Sequence, residues 1–414
     1  MKGYSTYSLI RNALGGHRFW KPVWRTPELK DSYDVVIIGA GGQGLATAYY
    51  LAKKHGIKNI AVLEKGFIGG GNTGRNTQVT RSNYFWPQSS AFFDYSLKLY
   101  ETLSLDLNFN VMLSQRGVLN LVHSHHEFEG LRRWANAIRI NGVDTDIVTA
   151  AEVKEIVPLI NMNSRFPVHG GSIQRRGGIS RHDAVVWAYA RAADAHGVDI
   201  IQQCEVMEFA ITNGKVTGVE TTLGKISANQ VSIAVAGHTG VLAGKAGFRV
   251  PIRSMGLQAM VSEPIKPCLD TMLTSPVIHM YVSQSDRGEI VLGGGADVYT
   301  SYAQRGGIPL LEENVAALLE LIPAFSRLRL MRQWSGIVDI TPDTTPIMGM
   351  TPVQNLYISG GWGTGGYKAI PAGGDTMAYT IANDEPHSLI ADFGLDRFER
   401  GVLIDEGAAS GVSH

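Results

Sequence analysis

The 414-residue sequence has few cysteines, no net charge and no long hydrophobic run, and each absence excludes a class of protein. Its 2 cysteines, Cys204 and Cys268, lack metal-ligand spacing, which argues against a zinc site and against a secreted disulfide scaffold. The 37 basic and 37 acidic residues balance, so no net field attracts nucleic acid or an anionic membrane. No apolar run reaches the ~20 residues that span a bilayer. We therefore expect a cytoplasmic protein that binds neither nucleic acid nor membrane, with no metal in this chain.

The N-terminal segment also lacks the features of a targeting sequence. Residues 1–30 are basic and aromatic and contain no acid before Glu28. They have neither the apolar core of a signal peptide nor the long serine-rich amphipathic stretch of a transit peptide. We interpret residues 1–30 as an arm that packs on a neighbouring surface, and residues 386–414 as a C-terminal tail.

A strand, glycine turn, helix and second strand in residues 34–66 predict a dinucleotide-binding unit. The apolar run DVVIIG is typical of a strand buried in a parallel sheet, and a GxGxxG fingerprint follows it. The first glycine allows the tight turn, the second lets backbone approach a pyrophosphate, and the third allows close helix packing. The strand NIAVLEKG then ends in an acid suited to the adenosine ribose. The expected cofactor contacts in this unit are Gly39, Gly41, Gly42, Gln43, Gly44, Glu64 and Lys65.

Two further glycine-rich segments favour FAD over NAD. After the acid, GFIGGGNTGRNTQVTRSNY is suited to run along the pyrophosphate toward an isoalloxazine ring, although a generic surface loop is the alternative. Near the C-terminus, NLYISGGWGTGGYKAIPAGG predicts a strand, a glycine turn and a helix start, whose N–H groups can lie beside the flavin. The expected contacts are Asn72, Thr73, Arg75, Asn76, Thr77, Gly361, Gly363, Gly366 and Lys368, with Val206 closing over the adenine.

The order of these segments predicts an α/β fold in which the FAD-binding Rossmann-like domain is discontinuous. We assign residues 30–115, 170–245 and 335–385 to this domain. Residues 116–169 and 246–334 would form an inserted α+β substrate domain built on an antiparallel sheet. Within the middle segment, Asn213-Gly214 predicts a hairpin between two alternating strands.

Several long motifs resemble those of the glycine oxidase and sarcosine oxidase group of FAD amine oxidases, and within it the β subunits of heterotetrameric sarcosine oxidases. The resemblance runs from about Asp34 to the C-terminus and includes GGNTGRNTQVTRSNY, LSQRGVLNL, RRGGISRHDAVVWAYARAAD and WGTGGYKAIPAGG. It implies that sarcosine is oxidatively demethylated at a non-covalent FAD. It also implies an FMN that is bound covalently through a histidine. This FMN would pass electrons to oxygen.

The same resemblance implies the products and the partners. The products would be glycine, hydrogen peroxide, and either formaldehyde or 5,10-methylenetetrahydrofolate. The chain would be the catalytic β subunit of a heterotetramer with α, γ and δ subunits. NAD, tetrahydrofolate and zinc would be bound only by partner subunits.

Individual residues match the motif positions of this family. Arg81 matches the arginine that binds the substrate carboxylate, and Lys368 the lysine beside the flavin; the alternative is that both are ordinary surface charges. Tyr84, His279 and Tyr281 are weaker candidates for the substrate wall, because such residues in strands more often belong to the core.

His182 matches the FMN attachment site, with His169 as its competitor. Arg175, Arg176 and Arg181 are candidates to bind the FMN phosphate and to stabilise the anionic flavin. The structural alternative is that His182 and Asp183 only cap the following helix.

Three other functions are compatible with parts of this pattern. A stand-alone glycine or D-amino-acid oxidase would hold FAD only and would leave His182 structural. A flavoprotein that scaffolds assembly would keep FAD for stability and would not be reduced by sarcosine. A nicotinamide dehydrogenase is opposed by the glycine-rich return at residues 360–374.

Overall fold

The computed structural model describes residues 5–18 and 22–404. The strands are β1 (Ser32–Ile38), β2 (Ile60–Glu64), β3 (Val79–Thr80), β4 (Val118–Val122), β5 (Asp146–Thr149), β6 (Gly170–Gln174), β7 (Gly178–Ile179), β8 (Asp199–Gln202), β9 (Val206–Thr212), β10 (Lys215–Thr221), β11 (Gly224–Ile233), β12 (Arg253–Pro264), β13 (Met272–Ser275), β14 (Met280–Gln284), β15 (Glu289–Thr300), β16 (Leu330–Ile340), β17 (Ile347–Met350) and β18 (Leu356–Gly360).

The α-helices are α1 (Thr6–Leu14), α2 (Gly42–Lys54), α3 (Pro87–Asp106), α4 (His125–Ile140), α5 (Ala150–Ile156), α6 (His182–Ala195), α7 (Thr239–Lys245), α8 (Ile308–Leu321), α9 (Ile370–Asn383) and α10 (Arg397–Arg400). Short 3-10 helices cover Asn72–Arg75, Ala236–His238, Pro323–Arg327 and Ser388–Phe393. Among the described helices, none has both the length and the apolar character that a membrane crossing needs.

The first eight-stranded sheet contains the predicted dinucleotide-binding unit. Its main path is β17-β18-β11-β1-β2-β8, and the strands from β18 to β8 are parallel to their neighbours. The residues of β1 and β2 are almost all apolar and mostly buried, because α2, α6 and α9 pack on one side of this sheet. The predicted hairpin joins β9 to β10, with Asn213 and Gly214 both at positive φ.

The second eight-stranded sheet is the predicted antiparallel sheet. Its order is β16-β12-β15-β14-β13-β4-β6-β5, and β13–β4 is its one parallel pair among the described strands. Apolar residues of this sheet pack against α8 in a separate core. The predicted fold class, a Rossmann-like FAD domain with an inserted substrate domain on an antiparallel sheet, is confirmed.

Two predicted segment boundaries need correction. Residues from 170 onward were predicted to belong to the FAD domain, but β6 lies in the second sheet. The glycines of β6 allow this pairing, because a Cβ atom on Gly171 would collide with the carbonyl oxygen of Asn120 on the neighbouring strand β4. β16 likewise pairs with β12 as far as Ile340, so residues 335–340 also belong to the second sheet.

Both predicted terminal segments partly join the body of the protein. In the N-terminal arm, α1 has no buried residue, whereas Arg25 binds Asp194 at 2.9 Å and the carbonyl of Val198 at 2.8 Å. At the other end, residues 386–404 are not a loose tail, because Ile390, Phe393 and Arg397 are buried. Residues 1–4, 19–21 and 405–414 of these two segments lie outside the described part.

Candidate active site

A cavity of about 1030 Å³ connects the β1–α2 turn to the strands of the second sheet. This volume is at the upper end of what small-molecule and cofactor sites occupy, so it suits a ligand as large as a dinucleotide. Most of the predicted cofactor residues line it: Gly39, Gly41, Gly42, Gln43, Glu64, Lys65, Asn72, Thr73, Arg75, Asn76, Thr77, Val206, Gly363, Gly366 and Lys368. Gly44 and Gly361 do not line the cavity and lie behind its wall.

The two glycine-rich turns meet at one end of this cavity. Gln43 donates a hydrogen bond from Nε2 to the carbonyl of Gly366 at 2.8 Å. A Cβ atom on Gly42 would collide with Ile370, so glycine at this position lets the start of α2 approach the start of α9. The start of α2 lines the cavity at Gly41, Gly42 and Gln43, and a helix N-terminus at this position favours a negatively charged ligand.

The predicted ribose acid is held in place by backbone. The Glu64 carboxylate accepts hydrogen bonds from the N–H of Ala40 at 3.0 Å and of Gly66 at 2.8 Å. Next to it, Lys65 Nζ lies 3.3 Å from Nε2 of His238, whose pKa is lowered by burial. These contacts fix the acid at the cavity edge, with further lone pairs available to a ligand.

The 72–77 loop lines the cavity, but several of its side chains hold the loop itself. Asn72 accepts a hydrogen bond from the N–H of Ile337 at 2.8 Å and donates one back to the same residue. Thr73 Oγ1 accepts from the N–H of Gly42 at 2.9 Å. Arg75 turns back to the carbonyl of Gly71 at 3.0 Å. Asn72 and Arg75 thus use their polar groups to tie the loop to its surroundings.

Arg81 and Lys368 both line the cavity and lie close enough for the charge of Arg81 to act on Lys368. The Arg81 guanidinium donates to Asn83 Oδ1 at 2.8 Å and lies 4.6 Å above the ring of Tyr84. Lys368 is buried and donates from Nζ to the carbonyl of Thr364 at 3.0 Å. Burial, and to a smaller extent the charge of Arg81, hold the pKa of Lys368 well below its usual range. Two cationic groups that converge on a buried cavity form a site for an anion.

The three weaker wall candidates have different positions. Tyr84 does not line the cavity, because its ring is stacked on Phe93 at 3.8 Å and carries Arg81 on its other face. His279 and Tyr281 do line it. Burial raises the pKa of Tyr281 to about 12, and its hydroxyl is hydrogen-bonded to Thr77. Tyr84 therefore packs against Arg81 from outside the cavity lining.

Several lining residues were not found from the sequence. On the second sheet, Thr274 donates a hydrogen bond to Asn120, and both side chains face the cavity. Trp134 of α4 closes the same side. Asp339 and Tyr367 line the part near the return turn. Asp339 ends the apolar run GIVD, a signal that could have marked it; Asn120, Thr274 and Trp134 carry no comparable signal.

His182 is the first residue of α6 and lies outside the cavity lining. Its Nδ1 atom is buried and has no hydrogen-bond partner among the described residues. Burial, the largest influence, lowers the pKa of its imidazole. The side chain does not cap α6, whereas Asp183 accepts a hydrogen bond from the N–H of Ala184 at 2.8 Å.

Tyr367 connects the cavity wall to the segment that precedes His182. Tyr367 lines the cavity and its hydroxyl donates to the carbonyl of Ser180 at 2.8 Å, two residues before His182. The competitor His169 lies elsewhere, just before β6, with its ring 4.5 Å from that of His125. His182 thus follows a segment that is bonded to the cavity wall, whereas His238 and His279 line the cavity directly.

The three arginines predicted to accompany His182 are all ion-paired. Arg175 binds Asp146 at 3.0 Å, and Arg181 binds Asp183. Arg176 binds Asp94 at 3.0 Å and Glu101 at 2.9 Å. None of the three lines the cavity. Within residues 5–18 and 22–404, no group of three or more His, Cys, Asp or Glu side chains could hold a metal ion.

Comparisons with known proteins agree with this geometry. The model of the family described as FAD dependent oxidoreductase (DAO) matches residues 34–380. The chain is 50% identical to the sarcosine oxidase subunit beta of Rhodobacter capsulatus, with 100% of both chains covered. It is 53% identical to that of an Arthrobacter species, covering 95% of this chain and 97% of the relative.

A solved structure of another protein has the same fold as this chain. The crystal structure of L-proline dehydrogenase from P. horikoshii superposes with a TM-score of 0.85 at 28% identity, covering 91% of this chain and 100% of that one. Together, the family model and the near-complete coverage at about half identity show that the chain belongs to the FAD-dependent oxidoreductases and, within them, to the sarcosine oxidase β subunits.

Proposed function

We propose that the protein oxidatively demethylates sarcosine at a non-covalent FAD held in the described cavity. The observation that carries this proposal is that Arg81, Lys368 and the GxGxxG turn line the same cavity. A flavin that reaches from the first turn would bring its ring close to the two cations. An amino acid bound there by its carboxylate would lie against the ring.

The residues present fit FAD. The carboxylate of Glu64 lies at the cavity edge with lone pairs still available, and Gly39, Gly41 and Gly42 line the cavity with backbone alone. A ribose can donate hydrogen bonds to this acid, and a pyrophosphate can approach the glycine backbone. When bound, FAD supplies the acceptor for the hydride equivalent that leaves the substrate.

The chain's own residues would position the substrate. Arg81 offers a planar fork to the carboxylate, and its orientation is fixed by Asn83 and Tyr84. Lys368 adds a second donor, and a bound carboxylate would favour its charged form. Holding the carboxylate at two points places the N-methyl group at a defined position, which is the main catalytic contribution expected of the protein. Exclusion of water by the bound cofactor and substrate would also favour the neutral amine that this oxidation requires.

We infer that His182 is the attachment site of a covalent FMN. Its buried and unbonded Nδ1, together with its lowered pKa, makes it a neutral imidazole nucleophile. When bound, FMN would relay electrons to oxygen, which yields hydrogen peroxide. The proposed phosphate role of Arg175, Arg176 and Arg181 is supported only by the resemblance, because all three are already paired with carboxylates.

The remaining parts of the proposal concern products and partners. Several relatives are named as the beta subunit of sarcosine oxidase, so other subunits exist in their assemblies. We propose that this chain assembles with α, γ and δ subunits, which would bind the NAD, tetrahydrofolate and zinc. The products would be glycine, hydrogen peroxide, and formaldehyde or 5,10-methylenetetrahydrofolate. A cytoplasmic location completes the proposal.

Anaerobic titration of the holoprotein tests this function. Sarcosine, glycine, D-alanine and dimethylglycine are added in turn, and the flavin absorbance is followed. The proposal is supported if sarcosine bleaches the flavin at a lower concentration than the other three compounds do. Bleaching by glycine or D-alanine in preference to sarcosine would instead support the stand-alone oxidase.

A further inference from the structure

Asp339 joins the second sheet to the return turn through two different groups. It lies near the end of β16, and its side-chain Oδ2 accepts the N–H of Gly361 at 2.6 Å. Its main-chain carbonyl accepts the N–H of Gly363 at 2.8 Å. One residue therefore fixes the turn between β18 and α9 at two points.

The turn needs such an anchor because of its conformation. Gly361 and Gly363 both have positive φ, at +70° and +50°, a region that other residues rarely adopt. A Cβ atom on Gly361 would also lie 2.6 Å from Thr341 Cγ2, so the backbone passes close to β16. The two bonds to Asp339 thus hold this part of the turn in its conformation.

The carboxylate of Asp339 is buried and is compensated only by backbone. Desolvation raises its pKa to about 7, and the opposing contributions come from the N–H groups of Trp362, Gly361 and Asp339 itself. Charged or titratable side chains of the surrounding elements bond to other groups: Arg75 to Gly71, His238 to Lys65, Arg253 to Val298, Lys368 to Thr364 and Arg81 to Asn83. No ion pair to Asp339 is present in the described chain.

We propose that Asp339 is a positioning residue that sets the return turn against the flavin ring and makes flavin reduction depend on its ionisation state. This inference rests on the proposed FAD site. As a carboxylate, Asp339 binds the turn strongly through charge-assisted hydrogen bonds and adds a negative charge behind it. A negative charge at this position disfavours reduction of the flavin, because the reduced flavin is itself anionic. When Asp339 is protonated, this opposition is removed and the bond to Gly361 weakens.

The test measures the midpoint potential of the non-covalent flavin in the holoprotein between pH 5.5 and 9, with chemical reduction. In the wild type, a plot of the midpoint potential against pH should show an inflection near pH 7. This inflection comes in addition to the slope that the protonation of the flavin itself produces. Asp339→Asn should remove this inflection and, because the opposing negative charge is absent, speed flavin reduction by sarcosine at least tenfold above pH 7 at saturating substrate, with KM changed less than threefold. Asp396→Asn, an exposed acid paired with Arg400, is the matched control and should change neither.

Two results would overturn the inference. One is a wild-type potential without an inflection near pH 7, which needs no variant and stands even if Asp339→Asn does not fold. The other is an Asp339→Asn protein that keeps both the inflection and the wild-type reduction rate. Because the potential is measured with a chemical reductant, this test is separate from the proposed function, which fails only if sarcosine does not bleach the flavin.

Discussion

Gln43 and Gly366 are 323 residues apart in the chain and are joined by a hydrogen bond of 2.8 Å. The first belongs to the fingerprint at the start of α2, and the second to the return turn before α9. Because α2 and α9 also pack closely at Gly42 and Ile370, the two turns form one wall of one cavity. This relationship is the structural basis for proposing a single flavin between them.

Replacing Gln43 by Ala should therefore weaken FAD binding. A neutral hydrogen bond contributes about 1 kcal/mol, so the Kd for FAD should rise about fivefold. The measurement is a titration of the apoprotein with FAD, followed by quenching of flavin fluorescence. Gln115→Ala removes a similar hydrogen bond, to the carbonyl of Arg176 outside the cavity, and should leave the Kd unchanged. An equal loss in both variants would contradict the role of Gln43.

The binding of a carboxylate ligand should be linked to proton uptake at Lys368. Its pKa is depressed in the ligand-free protein, and a bound carboxylate favours the ammonium form. Above the depressed pKa, binding must take up a proton, so the affinity should fall as pH rises, by up to about tenfold per pH unit. The measurement is the Kd of acetate by spectral titration from pH 6 to 9. In Lys368→Met the affinity should be weaker at low pH and should lose this slope. A wild-type Kd that stays constant over this range would show that Lys368 does not pair with the carboxylate.

His182→Ala should lose any flavin that stays with the polypeptide. The holoprotein is denatured, freed of small molecules and examined for flavin fluorescence at the position of the chain on a gel. Wild type and His169→Ala should both retain fluorescence, and His182→Ala should not. If the wild type retains none, the single-flavin oxidase becomes the better account, and if only His169→Ala loses it, the attachment site is His169.

The buried ion pair between Arg397 and Asp343 should be needed for stability. Both side chains are almost completely buried, and Arg397 Nε lies 2.8 Å from Asp343 Oδ2. Arg397→Met leaves Asp343 buried without its partner, which costs about 3–5 kcal/mol. Arg400→Met breaks an exposed pair with Asp396 and should cost less than about 1 kcal/mol. The free energy of unfolding of the two variants is compared by denaturant titration, monitored by tryptophan fluorescence. If Arg397→Met loses as little stability as Arg400→Met, the C-terminal segment contributes little to the fold.

The fold and much of the cavity wall were predictable because they depend on local patterns. The glycine spacing of the fingerprint reflects a fixed geometry: a Cβ atom on Gly44 would collide with the carbonyl oxygen of Gly39 inside the same turn. Alternating or continuous apolar runs likewise predict which strands are half-buried and which are fully buried. Such signals require only neighbouring residues, so they can be read from one sequence.

The parts that were missed depend on contacts between distant segments. Asn72 lines the cavity, but its amide is used by Ile337, which is 265 residues away. Tyr84 looked like a wall residue, yet Phe93 and Arg81 enclose its ring. Residues 386–404 looked like a tail, because nothing local shows that Arg397 pairs with Asp343. No sequence period encodes these pairings.

The most direct test of the central proposal compares wild type with Arg81→Lys in the anaerobic titration with sarcosine. Lysine keeps the charge but loses the planar fork, so the sarcosine concentration that half-bleaches the flavin should rise about 10–100-fold, while the oxidised flavin spectrum stays unchanged. Arg191→Lys, which alters an arginine stacked on Phe109 outside the cavity, is the control and should behave as wild type. Equal half-bleaching concentrations in all three proteins would contradict the proposal that Arg81 holds the substrate beside the flavin.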